Sequence, residues 1–508
     1  MVRQAAAEAQ QRGLRAHIAV TDTEGNVLGV FRMSGAGPTS RIPGTIGQGL
    51  GGLDLPASLL AITKAGSAAF LSSGSSAGGN AFSTRTAGFI VQDHFPPAID
   101  FTPGGPLFGV QFSSLPCGDF KSPALPVGLS GDPGGLPLYK DGVLAGGVGV
   151  EGDGSYAIDT DPMSVGDPED ALTEEAAALA GTRGFEVPEL IRANRILADG
   201  IRLPYLAVEM PAAAGAGAGE YVRDPLGLSP SAPRGSQPPR LVGRTVGGVN
   251  GQGDPRYPTR AGRVLTAPEV GHILDQAARQ TAVTRAAIRQ PLGSNTRVSI
   301  AAVDLDGAVL GFFQNEGAPN FGIDVAVQKA RTVNFFSSPG AGDALVRAGM
   351  GGFVTGEVPL DGSAAYTSRA VGFLAQPFYP PGIDGTAEGP YSVPRAVWGV
   401  FNTGLQLQIV IPGILQVLGG GSAGVGCNSA LLQLPNGITI FPGGIPLYKG
   451  GQLAGAIGVS GDGVDQDDLI AAAGATGFET PEERRSDRLI VRGTRLPWVK
   501  FPRHPELP

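Results

Sequence analysis

Apolar and polar residues alternate in two short runs separated by a turn, and this arrangement occurs near the start of each half of the chain. Residues 299–313 read SIAAVDLDGAVLGFF, with an Asp-Gly pair at 306–307 between two runs rich in β-branched and aromatic residues. Such a pair between β-rich runs is a strong signal for a tight hairpin turn. Residues 17–36 repeat the pattern around a Glu-Gly pair. Each half is therefore predicted to begin its sheet with a β-hairpin.

Helical spacing of apolar residues is found on both sides of this hairpin. Residues 265–280, LTAPEVGHILDQAARQ, place apolar residues three and four positions apart, and Thr266 is suited to cap the helix. Residues 324–336, DVAVQKARTVNFF, show mixed helical spacing after the hairpin. Later helices are predicted at 168–180 and 467–473, each followed by a short closing strand. The predicted fold class is α+β.

A second predicted hairpin is almost the same string in both halves. Residues 134–154 read GGLPLYKDGVLAGGVGVEGDG and residues 443–463 read GGIPLYKGGQLAGAIGVSGDG, with 15 of 21 positions identical. Other segments match in the same order, including HFPPAID with FYPPGID, and FSTRTAGFI with YTSRAVGFL, which we interpret as strands. Because collinear matches are the signature of an internal repeat, we interpret the chain as two tandem copies of one unit.

The outgoing strand of this repeated hairpin has one face almost without side chains. In the first copy this face carries Gly147 and Gly149, and in the second copy Gly458 follows two alanines on the same face. Side chains alternate between the two faces of a strand, and a face of small residues allows another group to approach the backbone closely. Two occupants fit this pattern, a packed helix or a flat ligand.

The copies divide the chain into three segments. Residues 1–210 form the first module, residues 211–260 a flexible linker rich in Pro, Gly and Ala, and residues 261–508 the second module. The first module starts with a shortened helix, so we expect that an N-terminal stretch of the native product is missing. The second module contains residues 396–448, which are 53 consecutive residues without a charge. We expect this insertion to be covered by the partner copy, another chain or a ligand.

Composition narrows the classes of partner. Gly and Pro make up about a quarter of the 508 residues and charged residues 16%, which describes ordered cores with long, uncharged, turn-rich loops. A net charge of −8 argues against nucleic acid, which requires a basic surface. The apolar stretch 405–418 is interrupted by Gln and Pro and does not predict a membrane span. The sequence has no CxxCH string and therefore no covalent c-type haem attachment.

The chain has two cysteines, Cys117 and Cys427, at similar distances before the repeated hairpin. If the two copies pack around a pseudo-twofold axis, these residues face each other, and a disulfide in an oxidising compartment is one prediction. Two buried free thiols are the alternative. We expect a periplasmic or extracellular protein, with a cytoplasmic location as the alternative.

The GG[LI]PLYK strings, the preceding [VT]D-x-x-G hairpins and the QKART helix resemble the GlcG/HbpS-like family, which is described as haem-binding or haem-degrading and is related to the C-terminal domain of PduO-type proteins. The resemblance covers the core of both copies. It implies a profilin-like module, an antiparallel sheet with helices packed on it, which commonly assembles into dimers and rings. It also implies haem or another tetrapyrrole as cofactor. We therefore expect the two copies to form a pseudo-dimer.

Candidate residues for holding such a cofactor are two histidines, two tyrosines, two arginines and the small-residue face: His94, His272, Tyr139, Tyr448, Arg85, Arg369, Gly147, Gly149 and Gly458. His94, in a loop that follows a predicted strand, is a candidate ligand for haem or a metal ion. His272 lies in a helix that resembles a haem-binding helix of PduO-type relatives. Lys64 and Lys329 occupy matching helices and are candidates to pair with carboxylates. Packing of the tyrosines and ion pairs within each module are the alternatives.

The candidate residues do not form a recognisable catalytic set. The chain has only 4 histidines, which makes a Ser-His-Asp arrangement improbable. The predicted function is a non-enzymatic haem-binding protein for storage, sensing or carriage, and self-association is expected. A structural protein that uses its uncharged loops for oligomer or filament contacts is the alternative, with residues 396–448 contacting a protein partner. Haem breakdown or lyase chemistry is a third, weaker hypothesis.

Overall fold

The computed structural model describes residues 1–75, 78–116, 118, 125–162, 164, 166–212, 215, 217–222, 241–419, 427 and 430–501. Two larger β-sheets organise these residues, one in the N-terminal half (residues 1–222) and one in the C-terminal half (residues 241–501). The strands of both sheets are antiparallel, and helices pack on them. This confirms the predicted α+β class.

The described part of the N-terminal half has four α-helices, which are α1 (Val2–Gln11), α2 (Ala57–Leu71), α3 (Thr84–Ile90) and α4 (Leu172–Gly181). Its strands are β1 (His17–Asp22), β2 (Val27–Met33), β3 (Thr39–Arg41), β4 (Asp54–Pro56), β5 (Ser73–Ser75), β6 (Gly78–Asn80), β7 (Gly135–Lys140), β8 (Val143–Glu151), β9 (Leu197–Ala198), β10 (Ile201–Arg202) and β11 (Gly219–Tyr221). The main sheet has the order β11-β2-β1-β8-β7, and the other strands form short pairs.

The described part of the C-terminal half has six α-helices, which are α5 (Ala267–Thr281), α6 (Phe321–Phe336), α7 (Ala341–Arg347), α8 (Ser368–Leu374), α9 (Leu405–Leu418) and α10 (Val464–Gly474). Its strands are β12 (Val242–Val246), β13 (Val249–Gly253), β14 (Val298–Val303), β15 (Val309–Asn315), β16 (Gly444–Lys449), β17 (Gln452–Gly461), β18 (Ile490–Val491) and β19 (Thr494–Arg495). The main sheet has the order β12-β13-β15-β14-β17-β16.

Four strands of each sheet follow the same order, β2-β1-β8-β7 in the N-terminal half and β15-β14-β17-β16 in the C-terminal half. The register also agrees, because His17 lies opposite Glu151 in one sheet and Ser299 lies opposite Ser460 in the other. Both repeated hairpins shift register directly before their tyrosine. The two matched strings therefore occupy equivalent places in the two sheets.

The segment predicted as a flexible linker, residues 211–260, contributes strands to both sheets. Strand β11 pairs with β2 at the edge of the N-terminal sheet. Strands β12 and β13 form a hairpin that extends the C-terminal sheet beyond β15. The prediction of coil is wrong for these residues, because free sheet edges pair with an extended chain even when its own propensity is low. Residues 223–240 lie outside the described part of the chain.

Helix α2 lies directly on the small-residue face of β8. A Cβ atom on Gly147 would stand 2.0 Å from the carbonyl oxygen of Ala65, and one on Gly149 would stand 2.2 Å from another carbonyl oxygen of the same helix. Strand β17 meets α6 in the same way, with 2.0 Å at Gly458. Of the two occupants predicted for this face, the packed helix is correct. Assigning the three glycines to a flat ligand is wrong, because the helices leave no space for one.

The matched strings FSTRTAGFI and YTSRAVGFL form helices α3 and α8, so the prediction of strands is wrong. The reason is the residue before each helix. The side chain of Ser83 accepts a hydrogen bond from the backbone N–H of Thr86, and that of Thr367 accepts one from Ala370. Such N-caps satisfy a free N–H group in the first turn and start a helix. His94 therefore follows a helix.

The two halves share a hydrophobic interior. One cluster of buried residues joins Phe108 and Tyr156 of the N-terminal half to Phe336 and Tyr391 of the C-terminal half. A second cluster centred on the N-terminal sheet includes Phe441. Burial of apolar surface is the main stabilising contribution in folding, so each half depends on the other for part of its core.

The uncharged insertion is covered largely by the chain itself. Helix α9 buries Leu405, Leu407 and Ile414 in the shared cluster, and the Gln406 side chain donates a hydrogen bond of 2.8 Å to the carbonyl of Gly109. The described part of residues 396–448 is therefore covered mainly by other segments of the same chain. No helix among the described residues is both long enough and apolar enough to cross a bilayer.

Replacing Gly149 by alanine tests the close contact between helix and strand. The new methyl group meets the backbone of α2, and we expect a loss of about 1–3 kcal/mol in the free energy of unfolding, measured by urea denaturation. Gly29→Ala is the matched control, since its Cβ meets only the ring of Tyr221 at 3.8 Å. Equal urea midpoints for the two variants would contradict the packing described here.

Candidate functional site

A cleft of about 560 Å³ lies between the two halves. One wall is the loop that follows α3 in the N-terminal half, and the other is the loop that precedes α9 in the C-terminal half. We call it the seam cleft, and its chemically distinctive lining residues are Asp93, His94, Asp100, Arg395, Trp398 and Phe401. Clefts of this size are typical of small-molecule sites.

The imidazole of His94 is mostly buried and is held by the opposite half. Its Nε2 atom lies 3.0 Å from Oδ2 and 3.1 Å from Oδ1 of Asp384. The ring also contacts Phe378, with 5.8 Å between ring centroids. Phe378 occupies the position in FYPPGID that His94 occupies in HFPPAID. The two matched loops therefore meet across the boundary between the halves.

Asp384 is fixed by donors from the N-terminal half. Its Oδ2 accepts a hydrogen bond of 2.9 Å from the backbone N–H of Phe101 in addition to the bond from His94. Partial burial acts to raise the pKa of Asp384, but the hydrogen bonds from Phe101 and His94 outweigh it and lower the pKa. Asp384 is therefore a carboxylate that orients the imidazole ring.

Arg395 and Trp398 form the other wall of the seam cleft. The guanidinium of Arg395 lies 2.7 Å from Oδ2 of Asp93 and 4.7 Å from the ring centroid of Trp398. Trp398 stacks on Phe108 with 5.9 Å between centroids and an angle of 7°. Its indole Nε1 is buried and has no hydrogen-bond partner among the described residues. This wall presents an aromatic surface beside a cation.

Three side chains at the edge of the cleft could hold a metal ion. His94, Asp100 and Asp384 each offer one ligand atom, and these atoms lie within 4.8 Å of one another. One imidazole nitrogen and two carboxylate oxygens form a donor set that suits zinc and similar ions. Asp384 is already bonded to His94, so an ion there would have to replace that hydrogen bond.

The predicted arginines are paired within their own halves. Arg85 donates to Glu175 at 2.8 Å, and Arg369 donates to Asp468 at 2.6 Å. Arg369 donates a second bond of 2.6 Å to Asp465. This geometry is the alternative of ion pairs inside each module, and neither arginine lines the seam cleft.

The remaining predicted site residues lie apart from one another. His272 is exposed on α5. The buried Tyr139 donates from its hydroxyl to the carbonyl oxygen of Ser73 at 3.0 Å, which assigns it to packing. Tyr448 is also buried, but its hydroxyl has no hydrogen-bond partner among the described residues. Cys427 is in a disulfide, and the chain's other cysteine, Cys117, lies outside the described residues.

A buried lysine is surrounded by three carboxylates in the N-terminal half. The Nζ atom of Lys64 lies 2.5 Å from Glu174, 2.8 Å from Glu151 and 3.0 Å from Asp132. All four side chains are at most 2% exposed. Three carboxylates exceed the charge of one ammonium, so the group is stable only if it also binds protons or other donors.

Burial and mutual repulsion change the proton affinities of this group. Burial raises the pKa of Glu174 to about 8, against the attraction of Lys64. The pKa values of Asp132 and Glu151 are raised for the same reasons. The three carboxylates overcome the effect of burial on Lys64 and hold its pKa well above the usual value. The lysine therefore stays charged, and Glu174 binds its proton more tightly than a free carboxyl group does.

The equivalent lysine of the C-terminal half has a different environment. Lys329 donates to Asp467 and to the carbonyl of Val459, each at 2.8 Å. The ring of Phe441 lies 4.9 Å from its Nζ atom, at the position matching Asp132, and Ser460 stands at the position matching Glu151. Two acidic residues of the Lys64 cluster thus have no acidic counterpart at Lys329.

Sequence reasoning proposed carboxylate partners for Lys64 but did not identify them. The signal was present at positions where the matched strings differ, since SGDPGG aligns with TIFPGG and GVEGDG aligns with GVSGDG. It also missed Asp384, Arg395 and Trp398. Asp384 ends the loop FYPPGID, whose match to the His94 loop was the available clue.

One comparison with known proteins, the match to a family model, supports the resemblance. The family model described as "Haem degrading protein HbpS-like" matches residues 412–476, which include the hairpin β16–β17 and α10. The Klebsiella pneumoniae protein ORFY, assigned to DUF336, shares 19% identity over 36% of this chain and 76% of its own, with a TM-score of 0.19. The crystal structure of the PduOC:haem complex shares 16% identity over 43% of this chain and 97% of its own, with a TM-score of 0.23. No curated protein matches.

The lysine cluster predicts that stability falls as the pH rises. The pKa of Glu174 is about 8 in the folded chain and 4.5 for an ordinary glutamate, so its contribution is complete below pH 4.5 and lost as the pH approaches 8. Glu151→Ser copies the C-terminal half and removes one like charge, which should flatten this decline. Thermal midpoints measured from pH 5 to pH 8 check it, with Ser460→Ala as control. A wild-type midpoint that rises over this range would contradict the assignment.

Proposed function

We propose that this protein binds haem or a related tetrapyrrole in the seam cleft and does not turn it over. The HbpS-like family model, whose description names haem, supports the ligand class. The observation that carries the location is the meeting of His94 from one half with Arg395 and Trp398 from the other around one cleft. The sheet faces are closed by helices, so a flat ligand needs a cleft away from them, and the seam cleft at the boundary between the halves provides one.

The residues of the cleft fit a tetrapyrrole in three respects. The Trp398 ring offers a flat aromatic surface, and the Arg395 guanidinium suits a propionate, since arginine binds carboxylates with two parallel hydrogen bonds. His94 supplies an imidazole whose Nε2 is held by Asp384, an arrangement that orients metal-binding histidines in general. The nitrogen left for iron is Nδ1.

Access of an iron ion to Nδ1 of His94 depends on the neighbouring side chain of Asp93. Its Oδ1 lies 3.4 Å from Nδ1 of His94, while its Oδ2 is paired with Arg395 at 2.7 Å. Arg395 thus gives Asp93 a partner other than the imidazole. When haem is bound it supplies a redox-active iron, and the protein residues orient, shield and charge-balance it.

The non-enzymatic part of the proposal rests on the sequence, in which the candidate residues form no recognisable catalytic set. We also propose an oxidising compartment, periplasmic or extracellular, because Cys427 is disulfide-bonded and disulfides persist in such environments. The equivalent strand orders of the two sheets support an origin by tandem duplication.

Titration with hemin tests the proposal. We expect the purified protein to give a saturable shift of the Soret band, and His94→Ala to weaken binding at least about tenfold. His272→Ala is the matched control, because His272 is exposed on α5 and outside the cleft. Absence of a saturable shift in the wild type would refute tetrapyrrole binding, and an unchanged His94→Ala variant would refute the location.

A second arm of this experiment separates binding from breakdown. Hemin bound to the protein is incubated with ascorbate, and the Soret band is followed with time against hemin and ascorbate alone. A band that decays no faster than in the control is expected for a binding protein. Faster, protein-dependent decay would show haem degradation and contradict the non-enzymatic proposal.

A further inference from the structure

A second large cleft lies entirely within the C-terminal half, far from His94 in the sequence. Its volume is about 650 Å³, and it lies between the end of α6, α7 and the hairpin β16–β17. We call it the arginine cleft, and its lining includes Arg263, Arg347, Arg484, Asp361, Leu432 and Leu453. Three cationic side chains and one carboxylate give it a positive balance within a protein of net charge −8.

The cations of this cleft are only partly neutralised. Arg263 pairs with Asp306 at 2.9 Å, and Asp361 accepts hydrogen bonds from Ser363. Arg484 donates a long bond of 3.4 Å to the carbonyl of Gly362. Arg347 forms no ion pair with any residue that the structure describes. Two guanidinium groups therefore remain without a carboxylate partner at one cavity.

Tyr448, which lies beside two lining residues of the cleft, supplies an independent observation. The side chain is 3% exposed, and its hydroxyl proton has no acceptor among the described residues, although the guanidinium of Arg484 is close enough to lower the pKa of the phenol through a hydrogen bond. Arg484, which lines the cleft, lies over its ring at 5.9 Å, and Leu453, which also lines it, is its partner across the hairpin. A buried hydroxyl without a partner costs free energy unless something else supplies that partner.

The equivalent tyrosine of the N-terminal half shows what is missing. Tyr139 donates to the carbonyl oxygens of Ser73 at 3.0 Å and Asn80 at 3.3 Å. Both belong to the strand pair β5–β6 that follows α2. In the C-terminal half, α6 is followed by α7 instead. Residues 337–340, which connect these two helices, line the arginine cleft. The strand pair that satisfies Tyr139 thus has no counterpart after α6, where the chain borders the cleft instead.

We propose that the arginine cleft binds a small organic anion, with Arg347 and Arg484 contacting its carboxylate or phosphate group and Tyr448 donating its hydroxyl. Leu432 and Leu453 contact the apolar part of the ligand. Burial raises the pKa of Tyr448, against the effect of Arg484, so the phenol keeps its proton for donation. Phosphate and carboxylate share the chemistry that arginine recognises.

Calorimetric titration of the full chain with phenyl phosphate, benzoate and inorganic phosphate tests this site. Phenyl phosphate or benzoate is expected to bind saturably, and the tighter of the two identifies the anionic group. Inorganic phosphate should bind more weakly because it lacks an apolar part to contact Leu432 and Leu453. Binding of inorganic phosphate as tight as that of phenyl phosphate would overturn the organic anion, and no binding of any probe would overturn the site.

Variants locate the binding. Arg347→Ala and Arg484→Ala are each expected to weaken the tighter probe about tenfold, the loss of one charge-assisted hydrogen bond. Arg279→Ala, at the exposed last turn of α5, is the matched control and should bind as the wild type does. Unchanged affinity in both cleft variants would contradict the proposal.

Two further measurements make the result specific. Tyr448→Phe should weaken the probe, whereas Tyr139→Phe should not, although its thermal midpoint should fall because Tyr139 loses its bonds to two carbonyls. Equal probe affinities for these tyrosine variants would contradict the role of Tyr448. Hemin titration of Arg347→Ala should match the wild type, so failure of this site and failure of haem binding are distinguishable.

Discussion

The contact between a helix and a strand of small residues is the constraint on which the rest of this structure depends. Helices α2 and α6 approach β8 and β17 so closely that Gly147, Gly149 and Gly458 have no space for a Cβ atom. The opposite faces of the sheets are covered by α1, α4, α5 and α10. In the part of the chain that the structure describes, helices thus cover both faces of each sheet. We therefore propose that ligands bind at the boundary between the halves and at loops that cover the hairpin ends.

The same scaffold carries different chemistry in its two halves. Lys64 has three buried carboxylates where Lys329 has one and a phenylalanine ring. Tyr139 is satisfied by the chain, whereas Tyr448 faces a different loop without a partner. Equivalent backbone positions thus hold one proton-binding cluster and one unsatisfied donor. The two halves share a fold, but the side chains at equivalent positions differ and determine what each half can bind.

The sequence predicted the elements that depend on local pattern and not the contacts that depend on distant segments. Both hairpins and the helices around them follow from periodicity and turn residues, whereas the antiparallel sheet was implied by the resemblance to the GlcG/HbpS-like family. Helix α3 was missed because a short apolar run suits a strand or a helix, and the deciding group is the Ser83 cap. The bond from His94 to Asp384 spans 290 residues. Only the folded chain brings the loops HFPPAID and FYPPGID together, although the match between the two strings indicated that they are equivalent.

Closed sheet faces are our reason for proposing that a tetrapyrrole binds in the seam cleft. Anomalous diffraction at the iron edge, from crystals of the protein grown with hemin, locates the iron. We expect an iron peak between His94 and the wall formed by Arg395 and Trp398. An iron peak at the small-residue face of β8 or β17, with α2 or α6 displaced, would contradict it.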